Sequence, residues 1–391
     1  MDSDSDSQQK AGELAFIARL TCVAYIIELV ISWHGYIRSH RIFELTPVFP
    51  ALRLLPEPLE WGIYITQILL LAWLCIRPHH RLAASIVLTL TVFCILRDLL
   101  LLQPYTYMYA YVIFTCSVLR HTSQARLKAL QIMVCGVYFW AGFHKFNATF
   151  FLSVFPWFIS PFYHFSKPPS ALFSDVIVML MTFITPMYEA LIGIFLLFPN
   201  YRRTGTLMAF IMLIVVLLCL GPLGHNWNAI VWPWNIYLFI LDVRLFLKSD
   251  LQFWKMDVFS NLEKPQLLSM ILFIAAPALA IITPWYTPLG FKLYAGSIDT
   301  AEMIFTPDET FEHVPPYLKR LINPQHILNL ADWSIYETNM AAAASVPMVL
   351  QQGPKGICRY LSDSTHVILR YHNTPPFYST KGKVNEILLC P

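Results

Sequence analysis

The chain contains few charged residues. Asp, Glu, Lys and Arg make up only 13% of its 391 residues, against about 25% in an ordinary soluble domain. The formal net charge is only +3, and because no basic run is present we predict no nucleic-acid partner. The eight cysteines lack the paired spacing of a zinc site, so we predict no metal.

Several catalytic motifs are also absent from the sequence. It contains no H-E-x-x-H, no G-x-S-x-G, no P-loop and no dinucleotide-binding fingerprint. These absences leave hydrolase, ATPase and Rossmann-type functions without support.

Long apolar segments dominate what is present, since 57% of the residues are hydrophobic. A run of about 17–25 apolar residues is long enough to cross a bilayer as a helix. The predicted membrane-spanning segments cover residues 13–33, 61–76, 82–96, 105–119, 129–146, 176–198, 205–221, 229–247 and 266–284.

The predicted fold is an all-α polytopic membrane bundle with a small C-terminal α+β extramembrane module. Residues 1–12 form a polar tail, residues 13–284 the transmembrane domain, and residues 285–391 the module. The segment 97–104 carries Arg97, Asp98 and Pro104. If it is a turn, there are about nine spans; if it is a broken helix at membrane depth, there are about eight.

The loops on the N-terminal side carry most of the lysines and arginines, which predicts a cytoplasmic N-terminus. We expect a multi-pass protein of the endoplasmic reticulum membrane. The module then faces a lumen. Asn147 begins a glycosylation sequon on that side, although it lies close to a span. Cys358 and Cys390 can pair if the lumen is oxidising, or they can remain free thiols.

Three apolar runs in the tail are typical of strands separated by Gly, Pro and Asn turns. They are VPMVL (346–350), THVILRY (365–371) and NEILLC (385–390). We predict no catalytic group in the module itself.

Five acidic residues lie in or at the edge of the apolar segments: Glu28, Asp98, Asp175, Glu189 and Asp242. A carboxyl group in a membrane is costly unless it has a partner or a function. Removal from water favours its neutral form, which can donate a proton. Glu28 and Glu189 have no obvious local cation, and Asp98 lies at a helix break, so these three are candidate acids.

A structural ion pair is the alternative for some of these acids. Asp98 directly follows Arg97, and Asp242 precedes Arg244 by two residues. We expect a structural role for Asp242 and similarly for Asp175.

A second polar group lies in the sequence GHNWNAIVWPWN. His225 is a candidate base, and Asn228 and Asn235 share one face if their helix is continuous. Trp232 and Trp234 offer ring faces that attract positive charge. The alternative is an aromatic belt at the membrane interface, which explains the tryptophans but not the polar residues.

The segment VYFWAGFHKFNATF contains Tyr138, Trp140 and Lys145. A desolvated lysine can lose its charge and act as a base. It can equally extend to the interface to keep its charge in water.

Two stretches, FPALRLLPEPLEW and QIMVCGVYFWAGFHKFNATFF, resemble the transmembrane domain of vitamin K-dependent γ-carboxylases. The resemblance covers roughly residues 35–250. It implies that Lys145 occupies the position of the family's base, with His144 in place of the first lysine of its Y-F-x-A-G-x-K-K segment. A quinone- or hydroquinone-dependent carboxylase-like enzyme follows as one hypothesis, although the tail is too short for that family's large lumenal domain.

In size, number of spans and scattered acids, the chain also resembles the membrane-bound terpene cyclases of meroterpenoid pathways of the ascochlorin and ascofuranone type. This resemblance implies that an acid protonates an epoxide on a prenyl chain and that the resulting cation closes a ring. It is our leading hypothesis, with a lipid-soluble prenylated substrate and no cofactor. The donor would be Asp98, Glu189 or Glu28.

The cyclase hypothesis assigns the remaining residues as follows. His225 accepts the final proton, and Tyr138, Trp140, Trp232 and Trp234 stabilise the cation. Asn228 and Asn235 contact the substrate. The third hypothesis is a non-enzymatic proton-coupled transporter or lipid-binding membrane protein, which would move its ligand without altering it.

Overall fold

A computed structural model describes residues 2–163, 171–248, 262–281, 288–305, 314–361, 367–374 and 381–390. Residues 2–6, 163, 171–175 and 288 are described by their backbone only, so the side chain predicted at Asp175 lies outside the described part.

The helices of the N-terminal part follow one another with short connections. They are α1 (Asp2–Ile31), α2 (Trp33–Tyr36), α3 (Glu57–Ile76), α4 (Arg81–Arg97), α5 (Pro104–Ile113), α6 (Ser123–Phe143), α7 (Phe155–Tyr163), α8 (Ala171–Leu197), α9 (Arg202–Leu220), α10 (Val231–Asp242), α11 (Lys264–Met270) and α12 (Ala276–Leu279). The first helix already begins at Asp2, so the segment predicted as a polar tail is helical.

Within the described residues, the apolar segments predicted to span form helices, and four of these helices are long and apolar enough to cross a membrane. These four are Ser7–Ile31, Glu57–Ile76, Val176–Leu197 and Pro199–Leu220. Their outward faces carry exposed Leu, Ile, Val, Met and Phe side chains, as expected where lipid replaces water. The chain is therefore a mainly helical membrane protein.

Residues 97–104 form a turn between two helices. Asp98 ends α4 and accepts a hydrogen bond from the backbone N–H of Leu100 at 3.2 Å, and Pro104 begins α5, a position that needs no N–H donor. Ser117, just beyond α5, donates to the carbonyl of Pro78 at 2.6 Å, next to the start of α4. The chain thus reverses here and returns alongside α4.

Two glycines allow α6 and α8 to pack closely. A Cβ added to Gly142 would lie 2.3 Å from the backbone nitrogen of Ala190, and one added to Gly193 would lie 2.5 Å from the carbonyl oxygen of Cys135. Small residues at a helix interface let membrane helices approach in this way. The contact brings the end of α6 beside the middle of α8, where Glu189 lies.

In its described residues, the C-terminal module combines three short α-helices with one antiparallel sheet. Its elements are β1 (Thr300–Ile304), α13 (Pro316–Leu321), β2 (Ile327–Asn329), α14 (Leu330–Thr338), α15 (Pro347–Gln352), β3 (Ile368–His372) and β4 (Val384–Leu388). The strand order is β2-β1-β3-β4. Arg370 of β3 joins three strands, because it bonds Glu302 of β1 at 3.3 Å and Glu386 of β4 at 2.9 Å.

Two of the three predicted strands are confirmed, as β3 and β4. The third is wrong, since residues 347–352 of the VPMVL region form α15. Pro347 is the cause, because proline has no N–H for a sheet but is favoured at the first position of a helix. Strands β1 and β2 lie where none was predicted.

The module contacts the loops at one end of the helical bundle. Glu337 accepts hydrogen bonds from the backbone N–H groups of Ile42 and, at 2.8 Å, Phe43. Asn339 donates to the carbonyl of Ile31 at 3.1 Å, and Gln103 donates to that of Ala341 at 3.0 Å. Through these contacts, the module binds both the loop after α1 and the loop after α4.

A disulfide closes the module. Cys358 and Cys390 are bonded, with their Cα atoms 5.6 Å apart. Cys390 follows β4 and Cys358 lies just after α15, so the bond joins the edge strand to the helical part. Of the two possibilities that the sequence left open, the structure has the paired one.

Candidate functional site

An apolar cavity of about 160 Å³ lies among α6, α7, α8, α9 and α10. Most of its wall consists of Phe, Leu, Ile, Val and Met side chains. A cavity of about 150 Å³ with such a wall is known to hold benzene, so this one has room for a single ring. The side chains in the wall that carry a polar group are Tyr138, Lys145, Thr185, Glu189, Trp234, Asn235 and Tyr294.

Lys145 and Glu189 form an ion pair in this wall. The Lys145 ammonium donates to Glu189 Oε2, and the two side chains are only 13% and 10% exposed. The close contact of α6 with α8 positions them, because Lys145 follows the end of α6 and Glu189 lies in α8. Both a proton donor and a proton acceptor therefore border one apolar space.

Tyr138 and Asp242 form a second polar pair next to the cavity. Tyr138 lines the cavity, and its hydroxyl donates to Asp242 Oδ2 at 2.6 Å. Asp242 is fully buried, and its Oδ1 has no hydrogen-bond partner among the described residues. The tyrosine thus connects the cavity to a buried acid.

The expected pairing of Asp242 with Arg244 is wrong. Arg244 instead binds Glu13 of α1 through two hydrogen bonds, of 2.6 and 2.8 Å. Residues two apart on a helix do not face each other. The spacing of two residues in a helical segment already indicates that Asp242 and Arg244 point in different directions and that Asp242 needs another partner.

Trp234 and Asn235 of α10 line the cavity. A role in substrate binding, as predicted for both, requires this position. The Asn235 amide donates to the carbonyl of Val231 at 2.7 Å. The indole N–H of Trp234 is buried without a hydrogen-bond partner in the part of the chain that the structure describes.

Asn228 reaches the cavity only through Tyr294. Its amide donates to the Tyr294 hydroxyl at 3.1 Å, and Tyr294 lines the cavity. The helix begins at Val231, so Asn228 and Asn235 do not share a helix face as the sequence suggested. Asn228 has a φ of 50°, a left-handed conformation that asparagine adopts more readily than most residues.

His225, Trp232 and Trp140 are among the predicted residues that lie outside the cavity wall. The His225 ring stacks on Trp157 with centroids 4.3 Å apart, and its Nε2 lies 2.7 Å from the carbonyl oxygen of Trp157. The indole of Trp232 donates to the carbonyl of Leu220 at 3.1 Å. Trp140 stacks on His144 at 5.3 Å.

Glu28 is buried away from the cavity. Its Oε1 accepts a hydrogen bond from the Thr106 hydroxyl at 2.8 Å, and its Oε2 has no partner among the described side chains. It is not among the residues that line the cavity, so a ligand in the cavity does not contact it.

Asp98 anchors a loop. It forms an ion pair with Arg41 and accepts a hydrogen bond from the Thr46 hydroxyl at 2.6 Å. The neighbouring Arg97, considered as its partner, pairs with Glu60 instead. Asp98 is not among the residues that line the cavity, so a ligand held there would not meet it as a proton donor.

Asn147, the candidate glycosylation residue, is held inside the structure. Asn147 is buried, and its amide nitrogen donates to the carbonyls of His144 at 2.9 Å and Ala295 at 2.7 Å. Its Oδ1 accepts from the backbone N–H of Phe150 at 2.9 Å. A glycan would have to replace these bonds and displace the module residue Ala295.

Sequence reasoning missed the contribution of the module to the cavity. Phe291, Leu293 and Tyr294 complete one side of the wall, although no function was predicted beyond residue 284. Their spacing carries no motif, and only the packing of the chain brings them to the helices.

No protein-family model, no curated protein and no solved structure matches this chain.

Proposed function

We propose that this protein is a membrane-embedded enzyme that transfers protons to and from an apolar small molecule held in the cavity. The observation that carries the proposal is the Lys145–Glu189 ion pair in the cavity wall. Charged side chains within a membrane protein are costly and mark functional sites by default. A purely structural pair has no need of an apolar space beside it.

The leading form of the proposal is a terpene cyclase that acts on an epoxidised prenyl chain. The reaction would begin when the Lys145 ammonium passes a proton to Glu189 across their hydrogen bond, which gives a neutral amine and a carboxylic acid beside the ligand. The acid gives its proton to the epoxide oxygen, and the C–O bond breaks to give a hydroxyl group and a carbocation. An alkene of the same chain then supplies the electron pair that closes the ring.

The reaction ends when the cyclic cation loses a proton. The Glu189 carboxylate or the Lys145 amine accepts it, which restores the starting pair, so the reaction is an isomerisation and consumes no co-reactant. The ring faces of Trp234, Tyr138 and Tyr294 line the same space and stabilise positive charge. Of the three candidate acids, this assigns the proton donation to Glu189.

A second candidate is a hydroquinone-dependent, carboxylase-like enzyme. The observation that favours it is the position of Lys145 in the wall of a ring-sized cavity, where the resemblance to the γ-carboxylases places a base. Such an enzyme would require reduced quinone and carbon dioxide, and the cyclase would require neither.

The proposed setting is a multi-pass protein of the endoplasmic reticulum with a cytoplasmic N-terminus and a lumenal module. The disulfide supports it, because such bonds persist in oxidising compartments. The shared contacts of the module with the loops after α1 and α4 are those expected if successive helices cross in alternate directions. The number of spans remains part of this proposal.

The test compares the Glu189→Gln and Lys145→Gln variants with wild type in cells supplied with a prenylated aromatic epoxide. Mass spectrometry of the lipid extract measures the cyclic product. Loss of general acid catalysis predicts a rate lower by roughly 10²–10⁴-fold. The matched control is Glu28→Gln, the same substitution at a buried acid outside the cavity, which can still accept the hydrogen bond from Thr106.

Full turnover in the Glu189→Gln variant would refute the assignment. A product that forms only with added hydroquinone and carbon dioxide would favour the second candidate. Transport of the unaltered compound across vesicles would favour the transporter or lipid-binding hypothesis.

A further inference from the structure

Lys145 lies in a short turn just beyond the end of α6 at Phe143. Backbone hydrogen bonds close the turn, from the N–H of Lys145 to the carbonyl of Gly142 at 3.0 Å and from the N–H of Asn147 to the carbonyl of Lys145 at 2.8 Å. Helix α6 does not continue through this turn. The position of the Lys145 ammonium therefore depends on the contacts that hold the turn.

The side chain of Asn147 holds this turn on both sides of its own backbone. Its amide nitrogen donates at 2.9 Å to the carbonyl of His144, the residue directly before Lys145. Its Oδ1 accepts from the backbone N–H of Phe150 at 2.9 Å. Asn147 is buried, and its amide has one orientation that suits these partners, because a carbonyl only accepts and an N–H only donates.

The loop of residues 290–297, between α12 and β1, binds the same turn. The Asn147 amide also donates to the carbonyl of Ala295 at 2.7 Å. The Ser297 hydroxyl donates to the carbonyl of His144 at 3.1 Å. Asn147 is therefore bonded to the loop and to the turn at once.

Three residues of this loop have a left-handed backbone conformation. Phe291 and Tyr294 each have a φ of 54°, and Gly296 has a φ of 75°. This conformation is unfavourable for large side chains, and residues held in it cluster at functional sites. Phe291 and Tyr294 also line the cavity, so the loop connects the cavity wall to the turn that carries Lys145.

We propose that Asn147 is a positioning residue for the proposed reaction: it fastens the turn of Lys145 to loop 290–297, so that the Lys145 ammonium meets Glu189 at the cavity. This inference rests on the proposed function, because it takes the ion pair as the reacting group. Asn147 is not among the residues that line the cavity, so it acts through Lys145 and does not touch the ligand. Misplacing a reacting group by about 1 Å can lower a rate by about 10²-fold.

The test measures how fast acetic anhydride acetylates the Lys145 amine of the full chain in lipid nanodiscs, with peptide mass spectrometry as the readout. We expect Asn147→Ala to raise this rate by about tenfold, because the turn loses two donated hydrogen bonds and the amine leaves its partner more often. Glu189→Ala removes the partner itself and should raise the rate at least as much. Adding Asn147→Ala to Glu189→Ala should bring no further rise.

Asn339→Ala is the matched control, since the Asn339 amide also joins the module to the bundle, through a bond to the carbonyl of Ile31 at 3.1 Å. It should leave the acetylation of Lys145 at the wild-type rate. Ser297→Ala removes one bond to the turn and is the milder second variant should Asn147→Ala fail to fold; we expect a smaller rise in the same direction.

The kinetic constants give a second readout, with a prenylated aromatic epoxide as the substrate. Asn147→Ala should lower kcat by about tenfold or more and leave KM unchanged, because Asn147 affects the reacting group and not the binding of the ligand. Loss of folded protein alone would lower the amount of active enzyme in Asn339→Ala as well.

The inference and the proposed function fail in different ways. Wild-type acetylation in both Asn147→Ala and Ser297→Ala, or an equal rise in Asn339→Ala, overturns the inference and leaves the proposed function standing. A wild-type protein that forms no cyclic product refutes the cyclase alone, because acetylation reports the position of Lys145 without turnover. An unchanged rate in Glu189→Ala shows that the ion pair does not hold Lys145 and refutes both.

Discussion

The ion pair of Lys145 and Glu189 makes the sharpest quantitative prediction. Replacing one partner with glutamine leaves the other charge in the apolar wall, and breaking a buried pair in this way typically costs about 3–5 kcal/mol. Coulomb's law gives a similar size, about 4 kcal/mol for charge centres roughly 4 Å apart at an effective dielectric constant of about 20. Replacing both partners removes both charges, so we expect the double variant to cost no more than either single variant.

The assay is a double-mutant cycle of the free energy of unfolding, measured in mixed detergent micelles at neutral pH. The sum of the single costs should exceed the cost of the double variant by about 4 kcal/mol. A surface pair is the control: Arg370 and Glu386 are 35% and 47% exposed, and such pairs couple by about 0.2–1 kcal/mol. If the costs of the two single variants at Lys145 and Glu189 add up to the cost of the double variant within about 0.5 kcal/mol, the buried ion pair is refuted.

Two further predictions concern the module. Burial lowers the pKa of Lys292 from 10.5 to about 8. Between these pH values the unfolded chain binds more protons than the folded chain, so the free energy of unfolding should rise from about pH 8 to about pH 10.5 and stay flat below pH 8. Denaturant titrations over this pH range measure the rise, and a Lys292→Met variant should lack it. The Cys358–Cys390 disulfide joins residues 32 positions apart, and its removal should lower the free energy of unfolding by about 4 kcal/mol on the chain-entropy model. Hydrogen exchange of the β3 and β4 amides in the double alanine variant measures this loss. Protection equal to that of wild type would contradict the prediction.

The apolar runs carried enough information to locate the helices, because run length and hydrophobicity depend only on local sequence. They also led to several residues that share the cavity wall: Tyr138, Lys145, Glu189, Trp234 and Asn235. Aromatic and ionisable residues within apolar segments have few roles other than to face one another inside the bundle.

The partners of the charged residues could not be predicted in the same way. The pairs Arg41–Asp98, Glu60–Arg97 and Glu13–Arg244 join residues that are distant along the chain. Sequence neighbours offered nearer partners for Asp98 and Asp242, but neither pairing forms. Which acid is free and which is paired depends on the packing of helices, and the local sequence does not encode that packing.

The short strands β1 and β2 show a similar limit. Each is at most five residues long, and β1 pairs with β3, whose residues follow some seventy positions later. A segment this short has a weak local preference for a strand. Its conformation is decided by the distant partner that supplies its hydrogen bonds.

Phe291, Leu293 and Tyr294 come from the chain beyond the last bundle helix, yet they complete the wall around the cavity. The helices and the C-terminal module consequently enclose this cavity together, and a truncated protein that stops after α12 would have a cavity open on that side. Attempts to simplify the molecule by trimming should therefore remove residues from the outer edge of the sheet and leave the connection from α12 to β1 intact.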